Sequence, residues 1–312
     1  MRKKLLNKMK KVKCLADYIK QVNCIHDSWK ANELAVLGNN DPAVTPWFRG
    51  QGDANFGLVP SLIYMSKEDE YFDEFWLNEH FRKRAYLHND LKIRNDEYDF
   101  WLFQSRHHGA PSRLLDWTES ALAALFFCVE DKKKKDGIVY MMQPYLWNEA
   151  LGFGSYSVPE CSLKFDIVRN YIMLAYTQDR CQHINYSDTQ LNRYALAIRP
   201  PQMTPRLVAQ RGVFTIHGTD LSIEDSEKKL GIKADLNDQA AEMSKKIKDC
   251  RKNDLLTSIR IDGSAKKSIQ RELGLMGITR ATLFPDMDGL VQELKFRFAK
   301  SAKHDEKTSR KI

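Results

Sequence analysis

The segment Ala121–Val129 (Ala-Leu-Ala-Ala-Leu-Phe-Phe-Cys-Val) constrains the fold most. Its length and lack of breakers predict a helix, and it is apolar nearly all round. Such a helix has no face to give to water, so it must lie in the middle of a domain. The Asp116-Trp117-Thr118-Glu119 sequence before it reads as a capping box, with Asp116 at the N-cap and Glu119 three residues on.

Other elements follow from periodicity and punctuation. Leu5, Met9, Val12, Leu15, Ile19 and Val22 recur at steps of three and four, predicting an amphipathic helix from about 3 to 30. Trp47-Phe48 begins a short strand that Gly50, Gly52 and Gly57 interrupt. Glu68 to Leu87 reads as an aromatic helix, and Glu97 to His107 as another, ended by Gly109. Strands are expected at 138–142, 194–198, 213–217 and 255–261, and helices at 163–178, 263–273 and 286–298. Strands and helices mix without a regular βαβ beat. The expected class is therefore α+β: a central mixed or antiparallel sheet with packed helices and an N-terminal amphipathic helix.

Charge divides the chain. The net +8 is carried by residues 1–13, at +7, and residues 300–312, at +3, which leaves −2 for the body between them. The body is thus no basic nucleic-acid platform, and a positive site in it has to be local. The expected organisation is a basic arm at 1–20, one domain at 21–299 and a basic disordered tail at 300–312. The basic N-terminal helix is a candidate partner surface. No apolar run reaches the roughly 18–20 residues that span a bilayer, and no apolar stretch with a cleavage site follows the basic start. Six cysteines without a CxxC pair suit a reducing compartment, so a cytoplasmic protein is expected. Cys161, Cys181 and His183 lack the spacing of a zinc ribbon or finger.

Four clusters carry chemistry. In Trp47-Phe48-Arg49-Gly50-Gln51, Arg49 can fork onto a phosphate or carboxylate, and Gly50 lets a ligand approach the backbone. The structural alternative is an arginine in a salt bridge beside a turn. In His107-His108-Gly109-Ala110-Pro111-Ser112-Arg113-Leu114-Leu115-Asp116, His108 is a candidate acid or base, Arg113 a ligand-holding cation, and Asp116 the group that orients them. Alternatively, Asp116 merely caps the helix and Arg113 pairs with it. Near Gln210-Arg211-Gly212-Val213-Phe214-Thr215-Ile216-His217, Thr215 and His217 share a strand face, unless this is an ordinary edge strand. Asp286 and Asp288 lie one residue apart, a spacing that can bind Mg²⁺ but more often caps a helix.

Together these motifs resemble the FRG family, named for its (F/Y)RG signature. The resemblance runs through Arg49 and Leu58-Val59-Pro60-Ser61-Leu62, then through a version of QHxGxPTRLLDWT at Ser105 to Thr118. It continues through Gln210–Phe214 and closes on Thr282-Leu283-Phe284-Pro285-Asp286-Met287-Asp288-Gly289. Two departures stand out: Arg106 replaces a Gln-like residue and Ser112 replaces Thr. The family occurs in bacteria and their mobile elements, which implies a defence or toxin-like role. The Arg-Gly strand is also similar to the first motif of ADP-ribosyltransferases of the Arg-Ser-Glu type, where the arginine holds the phosphates of NAD. Arg49, Thr215 and a late acid fall in that order, but no ExE or QxE appears. Glu293 lies in a predicted helix, so Asp116 or Asp286 stands as the alternative acid.

The resemblances imply an enzyme that takes NAD as substrate, without a metal, and passes ADP-ribose to a protein or nucleic-acid target or hydrolyses NAD. Its candidate catalytic residues are His108, Asp116 and Thr215; Arg49, Gly50, Gln51, Arg113 and Gln210 would bind ligand and phosphate. A non-catalytic module sensing a nucleotide or phage component is the alternative. A metal-dependent nuclease built on Asp116, Asp286 and Asp288 is a further one.

Overall fold

The computed structural model describes residues 10–36, 45–62, 73–88, 92–132, 134–152, 158–159, 166–176, 194–218 and 235–298. Residues 1–9, the 300–312 tail and the Cys161, Cys181 and His183 set lie outside the described residues.

Six strands form one sheet: β1 (Trp47–Gln51), β2 (Leu114–Thr118), β3 (Gly137–Met142), β4 (Leu196–Ile198), β5 (Gly212–Ile216) and β6 (Leu256–Ile261). Their spatial order is β4-β5-β2-β1-β3-β6. Every neighbouring pair is antiparallel, so the sheet is not mixed. Among the described residues, parallel pairing is confined to one bridge, Val12 to Ile261, at the β6 edge. With the helices packed on the sheet, the class is α+β, as the irregular element order predicts.

The ladders are uneven. β1 matches β3 over five positions, from Trp47↔Met142 to Gln51↔Ile138. β2 matches β5 over five, from Leu114↔Ile216 to Thr118↔Gly212. Between β1 and β2 there is one paired position, Phe48↔Thr118. The middle of the sheet is therefore joined at one end and open along the rest.

Alternation along each strand sends side chains to two cores. Trp47, Tyr140 and Met142 enter the first. Helices α2 (Glu74–Ala85), α3 (Tyr98–His107), α5 (Pro144–Ala150), α6 (Asp166–Met173) and α8 (Leu236–Met243) also pack there, for example through Trp101, Trp147, Tyr171 and Met243. Phe48, Val139 and Met141 enter the second core, with α1 (Leu15–Val36), α4 (Ala121–Glu130) and α9 (Lys266–Leu275). The apolar α4 is central, as its composition demands. It lies so close to β1 that a Cβ on Gly50 would sit 1.8 Å from the Ala124 carbonyl oxygen.

Two expectations are corrected here. Residues 10–14, inside the predicted helical span, are not helical, and the helix described there begins at Leu15. Val12 is extended because it adds to the sheet edge: its amide donates to the Arg260 carbonyl at 2.8 Å, and its own carbonyl accepts from Asp262. Val12, Leu15 and Tyr18 are buried, so the body of the molecule includes this stretch, which charge had assigned to an arm. Asp116 does not cap α4. It lies mid-strand in β2, and Ser120 is the cap, its hydroxyl accepting from the Ala123 amide at 3.2 Å. A five-position ladder with β5 outweighs the local capping signal.

The helix predicted at 97–107 runs from 98 to 107, and of the one predicted at 163–178 the described residues 166–173 are α-helical; the last is α10 (Met287–Phe298), which starts where Asp286 accepts from the Gly289 amide at 2.7 Å. Asp286 is therefore a cap. Among the described residues no helix is long and apolar enough to cross a membrane.

Candidate functional site

Where β1 and β2 part, a cleft of about 610 Å³ opens. Its walls come from β1 (Phe48 to Gly50), β2 (Asp116 to Thr118), the end of α3, and α7 (Pro205–Gln210) with the residues before it. Aromatic rings line it from both cores: Phe103 from the first, Phe48 and Phe127 from the second. Phe103 and Phe214 meet at a centroid distance of 5.0 Å.

Arg49 leaves β1 and reaches across the gap. Its Nη1 donates to the Asp116 backbone carbonyl at 2.5 Å and lies 3.7 Å from that residue's carboxylate. Its buried Nε has no partner among the described residues. Arg106, from the last turn of α3, grips the same carboxylate: Nη2 pairs with Oδ2, and Nε donates to Oδ1 at 3.3 Å. Arg106 is itself placed by Ser61, whose hydroxyl accepts from Nη1 at 3.0 Å and from the Ser112 amide at 3.3 Å. The Leu58–Leu62 motif thus serves to hold the second motif in place.

Burial pushes the Asp116 carboxyl up, but Arg106, and after it Arg49, pull it below the usual carboxylate range. The carboxylate is ionised at neutral pH and 44% exposed, so a ligand can reach it. Burial pulls Arg49 down from the ordinary arginine value, with Asp116 opposing it.

Arg206 stands apart. Its guanidinium stacks 4.4 Å from the Phe284 ring centroid, and among the described residues no carboxylate comes within 4.0 Å. Burial lowers its pKa. His107 is half-buried, and burial, then Arg206 and His108, depress its pKa, which keeps it neutral at pH 7. Three guanidiniums therefore face the cleft against one carboxylate among its described lining residues.

The structure gathers Arg49, Gly50, His108, Asp116 and Gln210 around this cleft. His108 is at the rim, exposed at the C-cap of α3. The Gln210 side-chain nitrogen is already used, donating to the Leu283 carbonyl at 3.0 Å.

Three predicted residues do not line the cleft. Arg113 is 1% exposed and forks onto Glu74, with Nη1 donating to the carbonyls of His217 and Gly218. Thr215 is fully buried and accepts from Trp117 Nε1 at 3.1 Å. Gln51 donates to the Gly57 carbonyl at 3.2 Å. Sequence reasoning noted Arg106 merely as a departure from pattern and overlooked His107 and Arg206. Arg206 lies in no motif, and its Pro205 neighbour signals only a helix start.

Residues 45–137 match the family model described as FRG domain. This chain carries an FRG domain. The matched stretch runs from β1 through α4 to the first residue of β3, so the FRG segment supplies Arg49, Arg106 and Asp116. Strands β4, β5 and β6, and Arg206 with them, lie beyond it and complete the sheet and cleft. No curated protein and no solved structure matches the chain.

Proposed function

We propose that the FRG cleft binds a phosphorylated nucleotide, NAD by preference, and cleaves it at the nicotinamide–ribose bond. One observation carries the reading: among the described lining residues, three arginines and a single carboxylate share a nucleotide-sized cleft with a phenylalanine pair. A volume of about 610 Å³ falls within the range of small-molecule sites. Arg206 and the partly exposed guanidinium of Arg49 supply donors for phosphate oxygens. Phe103 and Phe214 offer an apolar wall for a base.

Asp116 takes the role of the acid that the Arg-Ser-Glu order leaves open. Glu293 is spent elsewhere, accepting from Thr279 Oγ1 and the Ala281 amide. An ionised carboxylate at the ribose stabilises positive charge on C1′ as the C1′–N bond breaks and nicotinamide leaves with the electron pair. Water or a hydroxyl of a protein or nucleic-acid target then forms the C1′–O bond and releases its proton. In this reading the domain acts as a toxin-like effector of bacterial conflict.

The test is purified protein with labelled NAD, with and without cell extract. Wild type should consume NAD. Asp116→Asn should bind without turnover, and Arg49→Ala should bind at least about tenfold more weakly, the worth of a charge-assisted hydrogen bond. Neither NAD loss nor a NAD-dependent rise in melting temperature in the wild type would overturn the proposal.

The grip of Arg106 and Arg49 on Asp116 favours a second reading, a nucleotide sensor without chemistry, because the acid's charge is already answered. In that case the ligand raises the melting temperature and is recovered unchanged. The nuclease reading has less support. Among the described residues no group of three or more His, Cys, Asp or Glu side chains is placed to hold a metal, and Asp286 is a helix cap.

A further inference from the structure

Helix α10 turns its apolar stripe the wrong way for a surface helix. Its buried residues are Gly289 and Glu293. A Cβ on Gly289 would meet the Phe284 carbonyl oxygen at 2.0 Å, so the helix backbone lies directly on that turn. Glu293 accepts from Thr279 Oγ1 at 2.6 Å and from the Ala281 amide at 2.9 Å. At 100° per residue, the opposite face carries Met287, Leu290, Val291, Leu294 and Phe298. They are 76%, 42%, 42%, 42% and 76% exposed. An amphipathic helix ordinarily turns such a stripe toward a core. Here the stripe faces outward.

We propose that this stripe pairs with the same helix of a second copy of the chain, antiparallel about a two-fold axis. Met287, Val291, Leu294 and Phe298 follow the four-three-four spacing of a coiled-coil seam. An antiparallel two-fold pairing centred between Gln292 and Glu293 sets Met287 against Phe298 of the second copy, and Val291 against Leu294. The stripe's charged edge then decides the orientation. Asp288 and Lys295 are both exposed and are seven residues apart, on the same flank of the seam. Antiparallel pairing brings Asp288 of each copy beside Lys295 of the other. Parallel pairing sets each level with its own like charge. On the other flank, Leu290 meets the Arg297 stem, whose head is tied to Glu293 at 2.6 Å. A rim of both signs, complementary under a two-fold, fits a copy of itself. An anionic bilayer favours a uniformly basic rim and repels Asp288.

One helix pair is a small interface, so the dimer is expected to be concentration-dependent. Sedimentation velocity on the full chain tests it, with wild type, Leu294→Asp, Asp288→Lys, Lys295→Asp and the double charge swap. The substituted side chains are exposed, and circular dichroism melts check that each variant folds. Wild type should dimerise as concentration rises, and Leu294→Asp should stay monomeric. Each single reversal should weaken the dimer about threefold or more, and the double swap should restore it. A wild type monomeric throughout, a dimer indifferent to Leu294→Asp, or a double swap no better than the singles would each overturn the proposal. So would Leu294-dependent binding of the monomer to phosphatidylserine–phosphatidylcholine vesicles, which would assign the stripe to a lipid surface.

Discussion

Three consecutive residues of β1 meet three different neighbours. Phe48 is buried in the second core, Arg49 crosses to Asp116, and Gly50 lies under α4. In Gly50→Ala the new methyl would sit 1.8 Å from the Ala124 carbonyl oxygen and 2.8 Å from the Cys128 amide nitrogen. Neither is a flexible side-chain end, so α4 must shift. The expected cost is about 1–3 kcal/mol, the usual range for overpacking, read as a lower melting temperature. An unchanged melt would show that the contact is slack. At this scale the sequence conveys which residues matter better than why. Gly50 looked like room for a ligand, but what it admits first is a helix. Asp116 looked like a cap because Asp-x-x-Glu precedes an apolar run. Its actual setting depends on a strand about a hundred residues away, which local spacing cannot reveal.

The elements are held together by polar pairs that are distant in sequence. Arg113, just before β2, and Glu74 on α2 are 39 residues apart, each with a side chain 1% exposed. Losing one partner strands a buried charge, so Glu74→Gln is expected to cost about 3–5 kcal/mol. Replacing both with methionine should recover much of that, because the desolvation of both charges goes too. Chemical denaturation of the two variants measures the difference; equal losses would mean that the site tolerates a lone arginine. Strands β1, β3, β5 and β6 and helices α3, α4 and α9 were legible to within a few residues, because period-two or period-3.6 patterns survive in them. The Arg113–Glu74 pair was not, since nothing in either segment names the other. Arg206 was hidden for the same reason: its role comes from the fold-back that puts α7 over Phe284.

Across the whole molecule, the body's charge of −2 and the cluster of three arginines are compatible because the positive potential is local to one cleft. The cleft is also where the sheet has its weakest join. Strands β4, β5 and β2 form one leaf, and β1, β3 and β6 another; inside each leaf the ladders run over three to six positions. Between the leaves stand one backbone pair and the Arg49 guanidinium, which meets the Asp116 carbonyl from across the gap. The arginine that would grip a phosphate is thus also the clasp between the leaves, and ligand and protein compete for it. Saturating nucleotide should then speed hydrogen exchange in peptides covering 47–51 and 114–118, while β3 and β6 keep their protection. Unchanged or slower exchange in those peptides would mean that the clasp stays shut. If it opens, affinity for the ligand is set in part by how readily the two leaves part, and substitutions anywhere along the seam become substitutions in the binding site.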